Sequence, residues 1–360
     1  MFSFVAWLSV IGYKAGMALR PGQKPGQAKA DAAAPVAYGW REYVAALVQE
    51  HGTLTAVAWK LLEHGDGPDD VASVERALRR LRERSQSDGG VWGRRLLRQF
   101  GMPRTIEERL RWMGLYHSPF NDLPIALCED QLRLWDQPPV STSRARVWLE
   151  LAAASVALRR RAFDEAQVKL TAAAKTLAAG AADAKSSAAA RAEEALVRAY
   201  MQSRVGTDTG VLSALAQAEQ LLSEGSLTDE DQACFVARLV DQQAFRLNRQ
   251  GEHAAALALY RALPAADIHP FASYRREAGL AFGALKLGDV ESARRHVLAA
   301  CEFAGDGGYT RLRVMSLIML ARIEKGAAAQ ATLARAHAIA VRLDDEELLL
   351  RVSRARERKE

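Results

Sequence analysis

The residues best placed to do chemistry in this chain are arginines, and the chemistry they suit is anion recognition rather than catalysis. Ser73, Arg76 and Arg80 fall on one side of a helical pattern, away from the apolar positions Val74, Leu78 and Leu81, with Arg79 beside them. Guanidinium forks match phosphate oxygens and base edges, so a helix carrying them on one face is a candidate for the major groove of duplex DNA. Arg94, Arg95 and Arg98 follow a Gly89-Gly90 break. They either extend the footprint along phosphates or belong to an amphipathic turn that buries its leucines. The charge is localised: Val71 to Arg111 holds eleven arginines against five acids, whereas Arg41 to Asp70 holds two cations against six acids. Such runs also occur as solvated faces or as docking surfaces for an acidic protein.

Other reactive residue types form no constellation. The seven histidines never take HxxxH or HExxH spacing, and none pairs with a cysteine at metal-ligand intervals. Phosphate-loop and nucleophile-elbow motifs are absent from the sequence. Cys128, Cys234 and Cys301 are odd in number and far apart, which fits a reducing cytoplasm and reads as three small buried residues. The carboxylate pairs Glu193/Glu194, Asp229/Glu230 and Asp344/Asp345 read as acids near helix starts, where the helix dipole favours them. No catalytic residue, metal or cofactor is expected, and the protein is not read as an enzyme.

The elements that must position the arginines are helical. Apolar residues recur at helical spacing over Trp40–Glu50 and Leu54–Leu62, and again from Val71 to about Ser85, while alternating β-branched runs are nearly absent. His64-Gly65-Asp66-Gly67-Pro68 breaks the chain, and Asp69 and Asp70 offer a cap and first-turn acids for the third helix. In general outline this unit, residues 39–87, resembles the helix-turn-helix class, though its break is longer than the usual turn. That resemblance implies DNA contact through Ser73, Arg76, Arg79 and Arg80. Residues 88–141 form a bridge rich in aromatics, among them Trp92, Phe100, Trp112, Tyr116, Phe120 and Trp135. Such density suits a packed junction. His117-Ser118-Pro119-Phe120-Asn121-Asp122 reads as a rigid corner, or alternatively as part of a ligand-sensing pocket.

From residue 142 to 360 a phrase repeats: a small residue, a turn, then an alanine-rich helix. Ala162-Phe163-Asp164-Glu165-Ala166, Gly251-Glu252-His253-Ala254-Ala255-Ala256 and Gly288-Asp289-Val290-Glu291-Ser292-Ala293 are copies of it. Helical pairs are expected near 143–178, 187–222, 230–264, 271–303 and 310–342, with a last helix from about Asp344. Runs such as Ala152-Ala153-Ala154, Ala172-Ala173-Ala174 and Ala327-Ala328-Ala329 suggest an alanine-lined interior. Small residues at Ala244, Gly251 and Ala256 with Tyr260 and Leu263, then Ala281, Gly288, Ala293 and Ala300 with Leu280 and Val297, resemble the tetratricopeptide repeat (TPR) pattern. Arg161 stands where that pattern usually has glycine, and the interval from Ala256 to Ala293 is longer than the family's. The resemblance implies a stacked helical solenoid that binds proteins or peptides, packs on its own domains or oligomerises.

The fold expected is therefore all-α: a small helix-turn-helix-like domain followed by a TPR-like α-solenoid. Residues 1–38 read as an extension. Met1 to Tyr13 is apolar but too short to span a bilayer, and Pro21 to Pro35 has linker composition. A later start at Met17, a weak membrane-surface anchor and an apolar peptide docked on the body are the readings left open. At 360 residues and +6 net charge, a cytoplasmic DNA-binding regulator with a protein- or peptide-binding solenoid is the leading expectation. A homodimer and double-stranded DNA are its possible partners. An interaction scaffold whose basic helix docks an acidic protein is the alternative.

Overall fold

The computed structural model describes residues 37–63, 70–179, 184–205, 208–224, 227–265 and 268–357. The N-terminal extension and the 64–69 break lie outside the described residues. Among those described there are seventeen α-helices and no strand. None of the helices is long and apolar enough to cross a membrane.

Helices α1 (Trp40–His51), α2 (Leu54–Glu63) and α3 (Val71–Glu83) pack mutually, and α4 (Gly90–Phe100) lies against α2 and α3. Their apolar stripes meet at Trp40, Tyr43, Val44, Val57, Val74 and Leu78, all fully buried. Asp70 caps α3 by accepting the Ser73 amide at 2.6 Å, satisfying a donor that the first helical turn leaves orphaned. Trp40 fixes α4: its Nε1 donates to the Ser87 carbonyl at 2.9 Å, and its ring fills the space beside Gly89 and Gly93. Helices α5 (Arg104–Gly114) and α6 (Ile125–Trp135) then pack on α7 (Arg146–Arg159). One continuous core runs from Tyr38 to Leu239.

The remaining helices are α8 (Phe163–Ala178), α9 (Ala184–Val205), α10 (Asp208–Ser223), α11 (Asp229–Gln250), α12 (His253–Ala262), α13 (Pro270–Lys286), α14 (Val290–Asp306), α15 (Thr310–Ile323), α16 (Gly326–Leu343) and α17 (Glu346–Glu357). The odd-numbered helices from α7 onward pack each on the next, and the even-numbered ones fill the outer grooves between them. Sequential pairing of this kind is that of a helical repeat array. The array does not stay open: α17 packs back on α7, so six inner helices make a closed ring.

The repeated small residues do the packing expected of them. Ala166, Ala244, Ala256, Ala281, Ala293 and Ala300 are buried at the helix crossings. Gly251 and Gly288 end their helices with left-handed backbone, and Arg161 takes the same conformation (φ 59°) where glycine is usual. Gly279 of α13 meets the face of Tyr260, where an added Cβ would lie 2.1 Å from a ring carbon. Gly279→Ala must displace that ring and should cost about 1–3 kcal/mol, read as a lower denaturation midpoint. An unchanged midpoint would mean that the ring has room to swing aside.

The alanine-lined interior needs correction. Ala152, Ala154, Ala173 and Ala329 are buried between helices, whereas Ala327 and Ala328 face solvent. The surface that faces the middle of the ring carries arginines and aromatics instead. Alanine is selected where backbones approach closely, and the inner face is not such a place.

Candidate functional site

Two regions concentrate cationic side chains: the outer face of α3 and the inside of the ring. On α3, Arg76, Arg79 and Arg80 are exposed beside the half-buried Ser73. Arg76 is steered along the helix by hydrogen bonds to Ser73 Oγ (3.1 Å) and the Ala72 carbonyl (3.3 Å). Arg80 Nε points back to the Arg76 carbonyl at 3.4 Å. Arg79 pairs with Glu75 at 2.8 Å, a surface i,i+4 bridge of small energetic weight. Ser73, Arg76 and Arg80 thus share one outward side. Arg94 and Arg98 lie on α4, while Arg95 is half-buried with its guanidinium 4.6 Å from the Trp92 ring centre.

The inside of the ring is the region that sequence reasoning missed. A cavity of about 510 Å³ is lined by all six inner helices and by Tyr116, and ten of its lining side chains are Arg or Lys against three Asp or Glu. Those cations fall into two groups. The deep ones are held by carboxylates, Glu193 and Asp345 fully buried and Asp241 half-buried. Arg238 of α11 donates from both terminal nitrogens to Glu193 of α9 at 2.5 and 2.8 Å. Arg159 of α7 and Arg311 of α15 both donate from Nε to the same Asp345 oxygen, at 2.8 and 2.7 Å. Arg275 of α13 reaches Asp241 at 2.9 Å, and the Tyr260 hydroxyl donates to the other oxygen of Asp241 at 2.8 Å.

The second group keeps free donors. Arg246 of α11 is half-buried and has no partner among the described residues. Arg351 donates from Nε to Glu347 at 2.9 Å and from one terminal nitrogen to the Met315 sulfur at 3.5 Å, which leaves its other terminal nitrogen without a partner among the described residues. Arg204 lies 4.9 Å from the Tyr200 ring and 5.9 Å from that of Phe245, so two aromatic faces flank one guanidinium. Glu347 is 3.5 Å from one of its terminal nitrogens. Four buried polar atoms on the wall have no hydrogen-bond partner among the described residues: Ser155 Oγ, Gln242 Oε1, Arg275 Nε and Ser316 Oγ. Ser155 is 3% exposed.

The segment 115–123 joins the N-terminal helices to this chamber. The Tyr116 amide donates to Glu193 (3.2 Å), Tyr309 donates to the His117 carbonyl (2.8 Å), the Arg311 amide donates to Asp122, and Arg159 donates to the Leu123 carbonyl (2.8 Å). Four hydrogen bonds therefore tie this segment to the array, and Tyr116 lines the cavity as well. Burial pushes the Tyr116 phenol up, but Arg311, Arg275 and Arg238 together outweigh it and hold it below its ordinary value.

Next to this corner, Asp231 at the start of α11 pairs with Arg111 of α5 and lies 3.5 Å from His117 Nε2. Burial raises its carboxyl, yet His117, Arg111 and Thr228 together win and hold it at about 2. Glu193, expected near a helix start, instead sits well inside α9 and is fully buried. Burial raises the thiol of Cys128 to about 11 and that of Cys234 further, while Cys301 is half-buried and also raised. No group of three His, Cys, Asp or Glu among the described residues is placed to hold a metal ion.

A signal for the chamber was present in the sequence. Each inner helix carries at least one arginine toward the middle of the ring: Arg159, Arg204, Arg238, Arg275, Arg311 and Arg351. On α11 the stripe is continuous through Arg238, Asp241, Gln242, Phe245, Arg246 and Arg249 at three- and four-residue steps. Comparison of the chain with protein-family models, curated proteins and solved structures found no match.

Proposed function

We infer that the protein is a DNA-binding regulator whose helical array is the ligand-sensing part. The observation that carries this reading is the pairing of two cationic surfaces through one rigid joint. The α3 face offers Ser73, Arg76 and Arg80 to a duplex, with Arg79, Arg94 and Arg98 near enough in sequence to follow phosphates. The TPR-like array holds an arginine-lined chamber inside its ring of helices. Helix α5 meets α1 through the Arg104 amide and Glu50 and packs on α7, and segment 115–123 follows it onto the array, so occupancy of the chamber has a route to the N-terminal helices. In this scheme α2 supports α3 as in a helix-turn-helix, Arg95 positions itself on Trp92 rather than on DNA, and a homodimer would read a two-fold site.

Fluorescence anisotropy on random duplex DNA across a salt series tests it. The full chain should bind with a steep salt dependence. Arg76→Ala with Arg80→Ala should flatten the log–log slope by about 0.9 for each phosphate no longer neutralised, without lowering thermal stability, because both side chains lie on the outer face of α3 away from its buried stripe. Binding that is unchanged by the double substitution would overturn the assignment.

One observation favours a second reading, a non-enzymatic scaffold: Trp59 of α2 and Val91 of α4 are 57% and 61% exposed on the same N-terminal unit. Aromatic and apolar residues beside arginines are common at protein interfaces. A protein partner retained after nuclease treatment, together with no duplex binding at low salt, would select that reading.

A further inference from the structure

We propose that the chamber inside the helical ring is a binding site for a small phosphorylated aromatic compound of the nucleotide class. The inference deepens the reading of the array as a sensing part, and it does not depend on DNA binding.

Charge comes first. Glu193 and Asp345 neutralise the deepest guanidiniums, yet Arg246, one terminal nitrogen of Arg351 and Arg275 Nε remain on the wall without a carboxylate that uses them, and the exposed Lys286 stands at its edge. Lys286 rests 5.7 Å from the Phe282 ring centre. Several cations confined around one space repel each other, and the arrangement is relieved by a ligand with more than one negative charge. Guanidinium groups recognise phosphate through paired N–H donors.

Size and closure come next. An open solenoid presents a long groove in which an extended peptide can lie with both ends running out. Here α17 returns to α7, and the space is a chamber of about 510 Å³, within the range that holds a small molecule. The walls also carry what the uncharged part of such a molecule needs. Tyr200, Phe245 and Phe282 offer ring faces for stacking, and Met315 and Met319 an adaptable apolar surface. Ser155 Oγ and Gln242 Oε1, buried without protein partners, supply hydroxyl and carbonyl groups that read a polar ring edge.

Calorimetric titration of the full chain, in the absence of DNA, tests the proposal with four probes: adenosine 5′-diphosphate, guanosine 5′-diphosphate, pyrophosphate and the parent nucleosides. At least one diphosphate should bind, with pyrophosphate at least tenfold weaker and the nucleosides silent. Arg246 has no partner among the described residues, so Arg246→Ala should fold normally and bind about tenfold more weakly, with Arg246→Lys in between. No binding by either diphosphate at millimolar concentration overturns the proposal. So does pyrophosphate binding as tightly as the nucleotides, a nucleoside binding equally well, or an affinity indifferent to Arg246→Ala. The Arg76/Arg80 double alanine variant separates the two readings: it should keep nucleotide binding whatever it does to duplex binding, and loss of nucleotide binding in that variant would place the site outside the ring.

Discussion

Asp345→Ala is expected to lower the stability of the closed array by about 3–5 kcal/mol. Asp345 is fully buried. It caps α17 through the Leu348 amide at 3.0 Å, and it takes Arg159 from α7 and Arg311 from α15 on its other oxygen. Removing it leaves two adjacent buried guanidiniums with no carboxylate between them, and uncompensated buried charge is among the costliest single defects a fold can carry. The effect should be regional. In a linear array each repeat is stabilised by its neighbours, whereas the α17–α7 interface is an additional one that exists only because the ends meet. Hydrogen exchange in α7 and α17 should therefore accelerate more than in α12 or α14, alongside a lower urea midpoint. An unchanged midpoint would show that the ring is closed by apolar packing alone.

The same group sets a pH dependence. Burial raises the Asp345 carboxyl, but Arg311, Arg159 and the Leu348 amide outweigh burial and leave it below the ordinary carboxylate range. A depressed folded-state value means that its contribution is complete above the unfolded-state value and is lost as pH falls through the folded one. Asp231, held at about 2, behaves alike. Asp345→Asn should keep the shape and the cap while removing its share of the acid transition.

What could be read from the sequence was set by local pattern. The helices of the N-terminal unit follow their apolar spacing to within a residue or two at most ends, and the hairpins follow the small residues at 166, 256 and 293, because helix crossings demand small side chains at regular intervals. The left-handed residues Gly251 and Gly288 were legible for the same local reason. The closure of the ring was not. Asp345 finds its guanidiniums on α7 and α15, far away in sequence, so its role as a cap is visible locally while its role as a clasp is not. Glu193 and Arg238 are likewise on separate hairpins, and Glu193 reads as a first-turn acid because the start of α9 lies in an alanine-rich stretch without a sharp cap. The basic face of α3 stands out because its arginines are closely spaced. The inner arginines are more numerous but come one to three per helix, and charge counted segment by segment dilutes them among the acids of the outer helices.

Glu193→Ala is expected to be as damaging as the loss of Asp345, about 3–5 kcal/mol, and its partner distinguishes stability from positioning. The substitution strands Arg238, which is 5% exposed, and also frees the Tyr116 amide. Arg238→Met alone strands Glu193 instead and should cost a similar amount. Replacing both, Glu193→Leu with Arg238→Met, removes the buried charges together and should recover most of the loss, because a buried pair roughly offsets its own desolvation. About 1–3 kcal/mol should persist for the unsatisfied Tyr116 amide. The double-mutant cycle should therefore show a coupling energy of at least about 2 kcal/mol, and simple additivity of the two single losses would mean that the pair does not act as a unit. The recovered double variant is the informative one. Arg238 lies 4.8 Å from the Tyr116 ring centre and Glu193 holds the Tyr116 backbone, so the pair fixes segment 115–123 from both sides. With stability restored and that grip removed, amide exchange at residues 115–123 should remain fast. Exchange as slow as in the unaltered protein would locate the rigidity of the joint in Tyr309 and Arg311 instead.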